Sequence, residues 1–194
     1  MPGDDYSVPV STAEQQQTEK GSQELSPNYI VALALGSIAC VTDVRSRRIP
    51  NLLTFGGAAA GLLFHAIYPE SVGLMSAVEG WLIGAAFFFI PFALGGLGAG
   101  DVKLLAALGA WLGPAEIIRA GMYAALAGGV LALVVALGRG YLRKALSNIW
   151  LLLCHWSVAG VRPVPEVSLE GSTGPRLAYA IPIFVGLVVT AWLH

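Results

Sequence analysis

The stretch Ile117-Ile-Arg-Ala-Gly-Met-Tyr-Ala-Ala-Leu-Ala-Gly-Gly-Val-Leu-Ala-Leu-Val-Val-Ala-Leu137 decides the fold, because it carries a single charge, Arg119, close to its start. A helix of about 20 apolar residues crosses the hydrocarbon core of a bilayer. Working outward, apolar runs recur on both sides: Tyr29 to Asp43, Asn51 to Tyr68, Glu79 to Leu97, Val102 to Leu112, Leu146 to Val158 and Leu177 to His194. Val102 to Leu112 is too short to cross unless it tilts or is sheltered by protein, and Leu146 to Val158 is short enough to lie in the interface. The expected fold is therefore an all-α integral membrane protein, a polytopic bundle of about six transmembrane helices plus a short or interfacial helix.

Composition agrees. The chain has 194 residues, 56% of them hydrophobic and 12% charged, with mean hydropathy +0.70. Soluble domains carry about 25% charged residues. Asp4, Asp5, Glu14, Glu19, Lys20 and Glu24 lie in the first 27 positions, so 17 charged residues remain for positions 28–194. Too few remain to cover a water-exposed surface. Residues 1–27 lack the basic start and apolar core of a signal peptide, and are expected to form a disordered polar tail. Residues 28–194 form the expected membrane domain. A net charge of −1 argues against nucleic-acid binding, which usually needs a basic face. Cys40 and Cys154 stand alone in apolar runs and read as small packing residues. His65, His155 and His194 are scattered without a ligand spacing such as HExxH, so no metal site is expected.

Lysine and arginine placement sets orientation. Arg45, Arg47, Arg48, Lys103, Arg139, Arg143, Lys144, Arg162 and Arg176 fall on one face when the spans alternate, leaving Lys20 and Arg119 on the other. The crowded face is the cytoplasmic one. Glu79 then lies at the outer interface, where it would stabilise the start of its helix. The pairs Gly57/Gly61, Gly80/Gly84 and Gly109/Gly113 have small-xxx-small spacing, which lets helix backbones approach closely. Packing inside the monomer is the expected use, and a homodimer face the alternative.

Carboxylates are costly in membrane segments and are functional candidates there. Asp43 closes the first span and leads into Val44-Arg-Ser-Arg-Arg-Ile-Pro-Asn51; Asp101 follows Gly96-Leu-Gly-Ala-Gly100 and precedes Val102-Lys103. Both fall at cytoplasmic helix ends, where they could converge on one water. Two neighbouring carboxyl groups do not both ionise readily, so one retains a proton while the other stays charged. The glycines would let a substrate backbone approach, and Pro50 suits the start of the second span. Two other readings stand at this point. The aspartates could be interfacial carboxylates neutralised by nearby arginines, or proton or cation ligands of a small transporter built on broken, glycine-rich helices. Helix dipoles favour charge on Asp101, which opens a helix, over Asp43, which closes one.

The run Asp43-Val-Arg-Ser-Arg-Arg-Ile-Pro-Asn51, continuing through Leu52-Leu-Thr-Phe55, resembles the first aspartate motif of type IV prepilin peptidases. Gly98-Ala-Gly-Asp-Val-Lys-Leu104 resembles their second, the GxGD signature, and Leu177-Ala-Tyr-Ala-Ile-Pro-Ile-Phe-Val-Gly186 is similar to their final span. The resemblance implies a cofactor-free aspartic endopeptidase at the cytoplasmic face of the bacterial inner membrane. Asp43 and Asp101 would be catalytic, with Gly98, Gly100, Lys103, Pro50, Asn51, Tyr179 and Pro182 binding substrate or shaping the site. Its substrates would be prepilins or pseudopilins cut between a basic leader and an apolar helix, and its further partners the lipid bilayer and the pilus-assembly machinery. No CxxC pair and little chain precede Asp43, so the likeness is to short, peptidase-only forms of Flp or tight-adherence systems, without N-methyltransferase activity. A catalytically inactive assembly protein is the alternative within pilus systems. Ala178 stands where the family often has proline, and Pro182 is expected to kink the last span.

Overall fold

A computed structural model describes residues 26–68, 70–94, 96–138, 140, 147, 150 and 178–193. Among these, six helices follow in order: α1 (Pro27–Ser46), α2 (Asn51–Ile67), α3 (Leu74–Ala93), α4 (Ala99–Leu112), α5 (Pro114–Gly138) and α6 (Ala180–Trp192). The expected short helix at 146–158 and the tail up to residue 25 lie outside the described residues.

Local chemistry sets the boundaries. Pro27 occupies the first turn of α1, where no N–H is needed. Arg47 ends α1 in the left-handed region, at φ 52°, and its N–H donates to the Asp43 carbonyl at 2.8 Å. Gly73 and Gly113, at φ 82° and 80°, supply the backbone that starts α3 and separates α4 from α5 by one residue. Helix α3 begins at Leu74, five residues before the expected start. Glu79 is thus exposed in its second turn rather than marking its beginning. The turn signal at Gly73 outweighs the charge as a boundary.

Helix α4 is the axis of the bundle and touches each of the other five. Residues Leu104 to Leu112 are buried without interruption, as expected for a helix apolar on all sides. Its 14 residues span about 21 Å against a core of about 30 Å, so it is the sheltered segment the sequence implied. Helices α1, α3 and α5 are long and apolar enough to cross a membrane. Leu126, Val130, Leu133 and Val134 on α5 and Leu52 and Leu63 on α2 are exposed. In water such a surface would be unfavourable; in lipid it is the expected exterior.

Glycine makes the interior possible. A Cβ on Gly80 would run into the Gly109 carbonyl, and one on Gly84 would sit 2.5 Å from the Leu105 carbonyl oxygen. Gly57 receives Leu35 and Gly61 receives the Trp111 indole, whose Nε1 donates to the Gly57 carbonyl at 2.9 Å. All three spaced glycine pairs are therefore occupied by contacts within the chain. His65 is fully buried; its Nε2 faces the Trp111 carbonyl at 3.3 Å and its Nδ1 the Ser71 hydroxyl at 2.7 Å. The carbonyl can only accept, so Nε2 carries a proton, and His65 joins the ends of α2 and α4 as a satisfied core residue.

Candidate functional site

At the opposite end of the bundle from His65, the C-terminal end of α1 meets the N-terminal ends of α2, α4 and α6. Asp101 is the third residue of α4, and its Oδ2 accepts from the Gly98 N–H at 3.1 Å. This is half of a capping box and satisfies a donor that the helix leaves unpaired. The side chain is buried, with the residue 8% exposed. A Cβ on Gly98 would press on this carboxylate at 3.1 Å, so glycine there keeps the carboxylate reachable.

Asp43 is half-buried near the end of α1. Its Oδ2 faces the N–H of Ala180, the first residue of α6, at 3.4 Å. Nothing in the local sequence announces this partner, 137 residues away. The neighbouring donors explain it. The N–H groups of Ile181 and Ile183 reach the Ala178 and Tyr179 carbonyls, and Pro182 has none. Among the described residues, Ala180 thus offers the remaining donor of that first turn, and Asp43 takes the place of an N-cap. Both carboxylates therefore meet a helix N-terminus, and the dipole contrast expected from the sequence does not separate them.

The two aspartates stand at the same end of the bundle, Asp101 in the first turn of α4 and Asp43 against the first turn of α6. Tyr179 immediately precedes α6; its ring meets Phe88 edge-on, with centroids 6.0 Å apart, and its hydroxyl fills the space that a side chain on Gly128 would need. Pro182 is fully buried in the first turn of α6. Among the described residues the helix starts at Ala180, and a proline in the first turn interrupts no hydrogen bond, so Pro182 fits a helix start rather than the expected kink.

The remaining residues join the two aspartate segments. Pro50 is the extended residue before α2, and its neighbour Ile49 lies against Gly100, 3.4 Å from where a Cβ would stand. Lys103 donates from Nζ to Asn51 Oδ1 at 3.1 Å and lies 5.0 Å from the centroid of the Phe55 ring. Lys103 therefore faces α2 rather than the Asp101 carboxylate, as residues two apart on a helix must. The structure thus gathers Asp43, Asp101, Gly98, Gly100, Lys103, Pro50, Asn51, Tyr179 and Pro182 at one end of the molecule. Ile49, Phe55, Phe88, Gly128 and the Ala180 N–H are additions. Of these, Phe55 alone had a sequence signal, being four residues beyond Asn51 on the same helical face.

An all-helical membrane protein holding two carboxylates from separate helices at one end of its bundle is the class that this architecture defines. The chain belongs to the type IV leader peptidase family, whose sequence model matches residues 30–135, a range that includes both aspartates. It is similar to a prepilin leader peptidase/N-methyltransferase of Klebsiella pneumoniae, 39% identical over 90 residues covering 43% of this chain and 40% of that protein. A protein of the same description from Pectobacterium carotovorum subsp. carotovorum is 36% identical over 115 residues, covering 54% and 40%. A preflagellin peptidase of Methanococcus voltae is 32% identical over 86 residues, covering 42% and 36%. The matched segments span about 40% of the length of the first two relatives. No solved structure matches the chain.

Proposed function

We propose that this chain is an aspartic endopeptidase of the bacterial inner membrane that removes the basic leader from Flp-like prepilins. The observation that carries this reading is that Asp43 of α1 and Asp101 of α4 stand at the same end of the bundle, each held against a helix N-terminus, in a member of the leader peptidase family. Each carboxylate is oriented by a backbone N–H. In the proposed reaction the pair shares one proton. The ionised carboxylate takes a proton from water, whose oxygen attacks the scissile carbonyl carbon, while the protonated carboxyl polarises the carbonyl oxygen. The tetrahedral adduct then collapses as the C–N bond breaks: the carboxyl protonated by water gives its proton to the leaving amine, and the other carboxylate takes back a proton from the adduct hydroxyl. Gly98 and Gly100 give the substrate backbone room, and Tyr179 and Pro182 shape the far wall. Arg45, Arg47 and Arg48 are exposed beside Asp43, which supports a multi-pass topology with the catalytic end at the cytoplasmic face.

The test is cleavage of co-expressed prepilins by wild type, Asp43→Ala and Asp101→Ala, read by mass spectrometry of the pilin N-terminus. We expect leader loss with wild type alone, and an unmethylated product where no other methylase is present. Intact prepilins beside properly inserted wild-type protein would overturn the reading.

A further inference from the structure

Among the described residues, Lys103 is the cation nearest in sequence to Asp101, yet no carboxylate pairs with it. Its ammonium instead meets two groups of α2, the Asn51 amide oxygen at 3.1 Å and the Phe55 ring at 5.0 Å. Asn51 and Phe55 are one turn apart and share a face. The contact therefore ties the first turn of α4, which carries Asp101, to the first turn of α2. That turn is joined to the end of α1, which carries Asp43, by only Arg47, Arg48, Ile49 and Pro50. Ile49 closes the same seam against Gly100.

We propose that Lys103 is a positioning residue, a latch through Asn51 and Phe55 that fixes the separation of the two aspartates without touching substrate. This rests on the peptidase reading and adds to it the source of the pair's geometry. A positive charge held by a neutral amide and an aromatic face leaves both carboxylates free of a competing cation. An ion pair with Asp101 would instead hold that carboxylate permanently charged and unable to share a proton.

The test is a double-variant cycle with Lys103→Met, Asn51→Ala and their combination, assayed on a Flp-type prepilin and by thermal melting in micelles. Each single variant should lower kcat by about 10- to 100-fold, the effect of a displacement near 1 Å, with KM within about twofold because no substrate contact is lost. The combined variant should lose no more than the worse single one. Losses that multiply in the combined variant, or a rise in KM that carries the defect, would overturn the latch and assign Lys103 to the substrate. Asp101→Ala is run alongside. If wild type too leaves prepilins uncut, the peptidase reading falls and melting alone judges the latch. Each single variant should then lower Tm by about 2 °C and the pair by no more; additive lowering would overturn it.

Discussion

Substituting Gly84 by alanine tests whether the approach of α3 to α4 governs the molecule. The added Cβ would stand 2.5 Å from the Leu105 carbonyl oxygen, 2.9 Å from its carbon and 3.0 Å from the Ala106 Cα. All three are backbone-bound, so no side chain can swing aside. Restoring ordinary contact at 3.4 Å requires the helices to part by about 0.9 Å. A gap of that size forfeits a quarter to a half of each dispersion contact along the seam, and overpacking of this kind costs about 1–3 kcal/mol. Alanine returns about 0.5–1 kcal/mol through its better helix propensity. The net loss is about 1–2 kcal/mol, equivalent to a fall of about 2–8 °C in Tm for a chain of this size. Gly129→Ala is the matched control, since nothing lies within 4 Å of a Cβ there. Its melting temperature should rise, by the propensity gain alone. The assay is thermal unfolding of the purified protein in micelles, followed by helical ellipticity. A Gly84→Ala protein melting at or above wild type would refute the reasoning, as would an equal fall in Gly129→Ala.

Trp111→Phe removes the Nε1–H donor to the Gly57 carbonyl and part of a 6% exposed ring. A stability loss of about 1–3 kcal/mol is expected by denaturant titration, and an unchanged midpoint would count against a structural role for the indole. Arg47→Gly relieves a left-handed residue at φ 52°. That conformation costs a non-glycine residue about 1 kcal/mol, part of which is offset by the freer unfolded chain. Tm should hold or rise slightly, whereas a marked fall would mean that the guanidinium makes a stabilising contact at the end of α1.

The parts of the structure legible in the sequence were those written in local periodicity and composition. Ile117 to Leu137 lies within α5, and Val102 to Leu112 within the sheltered α4, because length and apolarity alone determine which segment crosses lipid and which must be covered. The aspartates were legible for the same reason: a carboxylate among apolar residues is conspicuous. Boundaries were less so. Glu79 suits a helix start by its charge, yet Gly73 holds the φ of 82° that begins α3; a charge tolerates several positions near an interface, while a backbone dihedral tolerates one. The effect of Pro182 depends on whether its helix starts two residues earlier or a turn before that, and the sequence does not mark which. The contacts of Asp43 with the Ala180 N–H and of Lys103 with Asn51 join positions 137 and 52 residues apart. Single polar residues carry no periodic signal, so such pairings appear only once the helices are docked.

The shortness of α4 and its glycine partners serve the same end. Lipid supplies no hydrophobic drive between helices, so close backbone contact must hold them, and Gly80, Gly84 and Gly109 allow it where α3 crosses α4. A central helix of about 21 Å falls short of the core thickness, so its first turn can lie below the surface yet inside protein. Asp101 occupies that turn with a backbone N–H as its hydrogen-bond partner. The arginines of the first aspartate segment stay exposed beyond it. A longer α4 would carry the carboxylate out into water, where burial could no longer shape its chemistry. Close packing of α3 on α4 therefore keeps the short helix sheltered, with Asp101 buried at its start.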